Sequence, residues 1–290
     1  MASTTGEQNI RGLDIDKTVK GFALREYIFK KDVNVSNMSA DHVRWYQETA
    51  QDLTPSGSQG NTLGVGSSFA HLEPSWTRNT SYFKKYGFQA QIDMEDEKSS
   101  DIDVMARTLL RLTRAVVKQV DTAIWNALTE DQSASNIQSF DVSTVGGDTW
   151  DASTGDQNPV KDLLHARKLI EDYDYSVDNL VAYVSPYDFE SLMSYLYSKG
   201  AQATQAGNQV VSDGKMMTVA GITIKSSNNV TSDYALVTNP SAACTWKSFY
   251  NTSSAKIEEK GIGTVLRVYE AGVPILHDPK ACVLLTNTQA

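Results

Sequence analysis

Metal ligation and proton transfer at neutral pH fall first to histidine, and this 290-residue chain has four: His42, His71, His165 and His277. No two stand at the separation that would set a ligand pair on one helix face or hairpin. His277 precedes Asp278, but side chains adjacent in sequence point apart, and Asp278-Pro279 reads as a turn. Cys244 and Cys282 are the only cysteines, too few for a disulfide framework or a cysteine-based zinc site, and read as two buried reduced thiols. No G-x-S-x-G elbow occurs. Gly261-Ile262-Gly263 fails the dinucleotide fingerprint because Leu266 holds the sixth position, and Gly214-Lys215 lacks the rest of a phosphate loop. The run Asp93-Met94-Glu95-Asp96-Glu97-Lys98 could attract a cation, yet it lacks the central glycine and closing Glu of a calcium loop, so it reads as a solvated turn. With every catalytic, metal and cofactor template failing, the chain is expected to bind or build, with no cofactor.

The remaining chemistry is electrostatic. Arg107, Arg111, Arg114 and Lys118 recur at 4-3-4 spacing, which puts four cations on one helical stripe. The stripe has two candidate partners: nucleic-acid phosphates, or the acidic run Asp93, Glu95, Asp96 and Glu97 on a neighbouring chain. Formal net charge is -9, so the molecule as a whole repels nucleic acid unless cations are gathered on one side. Absent such a use, the stripe is a solvated face.

The elements that position these groups follow from periodicity. At 40% hydrophobic with 7 prolines and 18 glycines, the composition is globular. The longest apolar run, Ala281 to Leu285, is too short to span a bilayer, and the N-terminus has no apolar signal core, so neither a membrane nor a secreted protein is expected. Ile102, Met105, Leu109, Leu112, Val116, Val120, Ile124 and Leu128 step by 3 or 4, predicting a long helix from about 100 to 129 with the cationic stripe on its far face. A short helix is expected over 40–53, capped by Ser39, from Val43, Tyr46, Ala50 and Leu53. Phe88 to Glu95 alternates strictly as a strand, and with Trp76, Tyr82, Phe83 and Tyr86 upstream it suggests a long two-stranded excursion over 54–95. Residues 1–98 cannot bury themselves, and an isolated ribbon is only marginally stable, so both need a partner surface. Downstream, Asn158-Pro159 and Ser185-Pro186 start helices on either side of a buried strand at 180–184. Further strands are expected at 217–224, 234–237, 264–269 and 281–285.

This order of elements resembles a known family, the major capsid proteins of tailed double-stranded DNA viruses with the Hong Kong 97-type fold, which encapsulin shells share. Four stretches carry the resemblance: Trp76-Thr77-Arg78 leading through the alternating strand into Ser99-Ser100-Asp101-Ile102-Asp103; Tyr183-Val184-Ser185-Pro186-Tyr187-Asp188; Val219 to Ser226 around Gly221; and Val268 to Leu276 followed by Pro279 to Leu285. The resemblance implies an α+β fold with an N-terminal arm (1–53), an extended loop (54–98), a peripheral domain on a spine helix (99–157 and 255–290) and an axial domain (158–254). It implies a non-enzymatic subunit that self-assembles into hexamers and pentamers of an icosahedral head enclosing DNA, found in the virion and assembled in host cytoplasm. Separate scaffolding, portal and decoration proteins are the implied partners, with no membrane. The alternatives are an encapsulin-like cargo compartment and, from another class, a soluble hydrolytic enzyme of α/β architecture. Replacing Leu112 with Pro interrupts the long helix at about 3 kcal/mol before lost packing is counted, so Leu112→Pro is expected to abolish particle formation in electron micrographs.

Overall fold

The apolar stripe at 102–128 fixes the axis on which the other elements are placed. In the computed structural model, which describes residues 19, 27–48, 65–66, 76–99, 104–132, 136–152, 155–198, 217–259 and 261–290, the long helix runs Val104–Leu128, about 37 Å at 1.5 Å per residue. Leu109, Leu112, Val116, Val120, Ile124 and Leu128 are buried along it and Met105 is partly buried. Asp101, Ile102 and Asp103 lie outside the described residues.

The strands in chain order are β1 (Asn34–Asn37), β2 (His42–Glu48), β3 (Trp76–Tyr82), β4 (Lys84–Asp93), β5 (Gln138–Asp141), β6 (Val181–Val184), β7 (Met217–Val219), β8 (Ile222–Ser226), β9 (Tyr234–Thr238), β10 (Cys244–Glu259), β11 (Gly263–Leu276) and β12 (Cys282–Thr286). One sheet has the order β1-β10-β11-β4, a second β5-β12-β9-β6-β8-β7, and β2 with β3 forms a separate ribbon. The long helix packs across β4 and β11. The second sheet is apolar on both faces. Val181, Tyr183, Leu236 and Leu284 join the core of the long helix, while Ala182, Val184, Val237 and Leu285 meet the side carrying helix Pro159–Glu171. That explains the unbroken apolar runs, which periodicity alone cannot assign to one face. Caps behave as their residue types require: Asn158 Oδ1 accepts the Lys161 N–H at 3.1 Å, and Ser185 Oγ accepts the Asp188 N–H at 3.1 Å. β7 and β8 join through Ala220 and Gly221, both at positive φ (54° and 81°), the two-residue turn that matches strand twist.

Three expectations change. The helix expected over 40–53 is strand β2 through His42–Glu48: Val43, Trp45 and Gln47 share one face with period 2, and pairing with β3 outweighs the 3-4 spacing. Ala50 and Leu53 lie outside the described residues. The ribbon therefore joins 42–48 to 76–82, and the alternating strand β4 belongs instead to the four-stranded sheet. Sheet membership also differs from the 99–157, 158–254 and 255–290 division. β5 and β12 complete the sheet of β6, and β10, beginning at Cys244, belongs with β11.

A short N-terminal segment joins these parts. Phe29, fully buried in helix Phe29–Asp32, stands between the rings of Trp125 (5.8 Å) and Tyr183 (4.5 Å). The Ile28 and Lys30 amides donate to Asp121 on the long helix at 2.8 and 3.2 Å. Burial pushes the Asp121 carboxyl up to about 6, against the pull of those amides. Lys30 Nζ pairs with the fully buried Glu270 of β11, whose carboxylate also accepts from Tyr27 and, at 2.8 Å, from Thr252. Burial, and next the Glu270 charge, raise the Tyr27 phenol. Asp32 accepts from Tyr183 at 2.7 Å and from Lys225 at 2.6 Å, both in the six-stranded sheet. Lys30→Met leaves the buried Glu270 charge without its cation, held only by the Tyr27 and Thr252 hydroxyls, so denaturant unfolding is expected to show a loss of about 3–5 kcal/mol.

Candidate assembly surface

The ribbon is built with unequal faces. On its inner face the Trp45 indole donates to Ser81 at 2.9 Å and stands edge-on to the His277 ring at 6.1 Å. Gln47, 6% exposed, donates to Glu130 at the end of the long helix at 3.4 Å and accepts from Asn79 at 3.2 Å. Phe83 stacks on Phe249 of β10 at 4.4 Å. Burial first, then the Lys247 charge, lower the His277 pKa, so its ring serves as a neutral buttress for Trp45.

On the outer face, register sets Tyr46 opposite Arg78, Arg44 opposite Thr80, and His42 opposite Tyr82. Tyr46, Trp76 and Tyr82 are 58%, 62% and 66% exposed, with Arg44 and Arg78 exposed among them. Three large aromatics interleaved with two guanidinium groups form the composition of an association surface. Beside the ribbon, a groove of about 1100 Å³ opens between Trp45, Tyr82, Lys84 and Phe88 on one side and Lys118 and Ala123 of the long helix on the other.

Arg107, Arg111, Arg114 and Lys118 are all exposed on one stripe of the long helix, as their spacing requires. The acidic run is not a turn. Asp93 closes β4, and Glu95, Asp96 and Glu97 lie in helix Met94–Ser99, whose first amide donates to the Ile262 carbonyl at 3.2 Å; its backbone continues directly from the strand and so winds instead of turning. Asp93, Glu95 and Asp96 are exposed. The thiols of Cys244 and Cys282 are free and buried, and burial pushes both up to about 12, leaving them protonated. His42 bonds Asp41 at 2.7 Å and His165 meets the Phe140 ring at 4.9 Å, while His71 lies outside the described residues. Sequence reasoning missed Arg44, Tyr46, Trp76, Arg78 and Tyr82 as one face. The signal was the alternation of 42–48, overridden by a coincident helical spacing.

A family model described as phage capsid protein matches residues 79–285. The chain belongs to the phage capsid protein family. It is a shell-forming subunit of the virion with a structural, not catalytic, role, and it has the Hong Kong 97-type fold. Among solved structures, this capsid chain is similar to one from the capsid of cyanophage P-SCSP1u, with a TM-score of 0.68 at 13% identity over 90% of this chain and 88% of that one. It is similar also to the virus-like particle from Pyrococcus furiosus, with a TM-score of 0.63 at 11% identity over 95% and 99% of the two chains. A chain from Mycobacterium phage Che8 gives 0.61 at 16% identity over 91% and 92%. Search of curated proteins returns no match. No helix among the described residues is long and apolar enough to cross a membrane.

Proposed function

We propose that this capsid chain assembles into hexamers and pentamers that close an icosahedral head around double-stranded DNA. The observation that carries the reading is the ribbon: one face is docked on its own subunit and the other exposes Tyr46, Trp76 and Tyr82. Such a surface is stabilised by covering it with protein, and in a shell the neighbouring subunit is always at hand. The long helix with the four-stranded sheet makes the peripheral domain, and the six-stranded sheet the axial domain. Scaffolding, portal and decoration proteins act as separate chains, and assembly takes place in host cytoplasm.

DNA is held without sequence preference. In a chain of net charge -9, Arg107, Arg111, Arg114 and Lys118 gather four cations on one exposed stripe, which faces the lumen and its phosphates. A cargo compartment is the second reading, favoured by the similarity to the Pyrococcus furiosus virus-like particle over nearly the whole of both chains. Nuclease-resistant DNA in purified particles separates the two. Arg107→Gln with Arg111→Gln is expected to leave empty shells intact while lowering the DNA retained as salt rises, because phosphate contacts weaken with counterion concentration. Retention equal to the parent's at every salt concentration makes the stripe a solvated face.

A further inference from the structure

The polar passage between β5 and helix Pro159–Glu171 takes no part in the shell surfaces above, yet it folds around a carboxylate. Asp162, in the first turns of that helix, is fully buried. Its Oδ2 accepts from the Trp150 indole at 2.9 Å, whereas its Oδ1 is buried and meets no donor among the described residues. Gly146 lies against the same carboxylate, so close that a Cβ there would stand 2.5 and 2.7 Å from the two oxygens. The Gly146 amide is committed elsewhere, donating to the Val142 carbonyl at 2.8 Å.

Gln157 precedes the N-cap Asn158, and a side chain in that position faces the fourth residue of the helix, here Asp162. Two apolar side chains ordinarily meet there. In this chain Gln157 Oε1 is a second buried oxygen without a hydrogen-bond partner, and Thr149 Oγ1, next to Trp150, is a third. The Asp156 carbonyl turns in toward Gly147, 2.8 Å from where a Cβ would stand, and Gly147 has the positive φ (106°) that glycine adopts freely.

We infer that residues 146–152 and 155–158, together with Asp162, form a calcium-binding site whose protein ligands are Asp162 Oδ1, Gln157 Oε1, Thr149 Oγ1 and the Asp156 carbonyl. All four are oxygen, which is the chemistry of a hard cation. Calcium takes amide, hydroxyl and backbone oxygens beside carboxylates in irregular sets of about six to eight, whereas magnesium demands a near-ideal octahedron and keeps its waters. Among the described residues no three His, Cys, Asp or Glu side chains gather, so this site has one buried carboxylate in a mixed set. A low ligand charge places it in the weak class, with a dissociation constant of roughly 10⁻⁴–10⁻³ M. The positive end of the helix opposes a cation. Against that, Asn158 Oδ1 already takes the Lys161 amide at 3.1 Å, and Asp148, Asp151 and Asp156 on the loop add negative potential that outweighs the exposed Lys161. Because the Trp150 amide donates to the Thr288 carbonyl at 2.9 Å, a cation here also fastens the segment that follows β12.

The test strips the full-length chain with a chelator and follows unfolding while calcium chloride is added at constant ionic strength. At about 10 mM calcium the folded-to-unfolded ratio is expected to rise roughly 10- to 100-fold, and far less with magnesium. Terbium in place of calcium is expected to luminesce on tryptophan excitation, because Trp150 holds the liganding carboxylate. Asp162→Asn abolishes both responses, while Glu95→Gln with Asp96→Gln, on helix Met94–Ser99, leaves them unchanged. Should Asp162→Asn fail to fold, Gln157→Met replaces it and is expected to weaken both. A folded variant at either position that responds like the parent, or a parent that treats calcium and magnesium alike, overturns the site. So does a chelated parent that ignores calcium but gains stability as pH falls through about 6, the value to which burial raises the Asp162 carboxyl. That result gives Oδ1 a proton in place of a cation.

Discussion

A buried carboxylate needs a fixed cation and fixed donors, and Glu270 obtains both from a segment nearly the whole chain away in sequence. The rest of the fold depends on that requirement being met. Tyr27 and Lys30 satisfy Glu270 on the four-stranded sheet, the backbone of the same segment satisfies Asp121 on the long helix, and Asp32 satisfies Tyr183 and Lys225 on the six-stranded sheet. Phe29 fills the space among them. Two sheets and a helix, each with its own apolar face, are thereby held in one relative placement by groups that cannot be left unpaired without cost.

For a shell subunit that placement matters more than stability. Contacts between copies repeat around a closed surface, so a small error in the angle between the two sheets is multiplied at every contact. The apolar cores supply most of the free energy of folding, but they tolerate sliding and repacking. Directional bonds to buried charges do not. The ribbon follows the same logic: Gln47 against Glu130 and Trp45 against His277 set the angle at which its aromatic outer face leaves the body.

Much of this was legible in the sequence wherever local pattern and tertiary fate agree. The long helix, the capped starts at Asn158 and Ser185, and the buried strand ending at Val184 follow from periodicity and capping alone. Failures came where a long-range partner decides. Residues 42–48 satisfy a helical spacing and a strand alternation at once, and only pairing with 76–82 settles between them. The 16-residue β10 was missed because register shifts near Tyr250 break its alternation. The polar passage holding β5 gives no apolar signal, since that strand is an edge supported by β12. Nor could the sequence show that Lys30 and Glu270 meet, because a lone Lys and a lone Glu far apart read as surface charges.

The most direct measurement is native-state hydrogen exchange of the Ile28 and Lys30 amides, the two donors to Asp121. If the N-terminal segment is the piece that joins the helix to both sheets, these amides open only when the subunit unfolds. They then exchange as slowly as those of Val116 and Val120 inside the long helix. Exchange orders of magnitude faster, with the helix still protected, would mean that the segment opens alone and that the two sheets hold their placement without it.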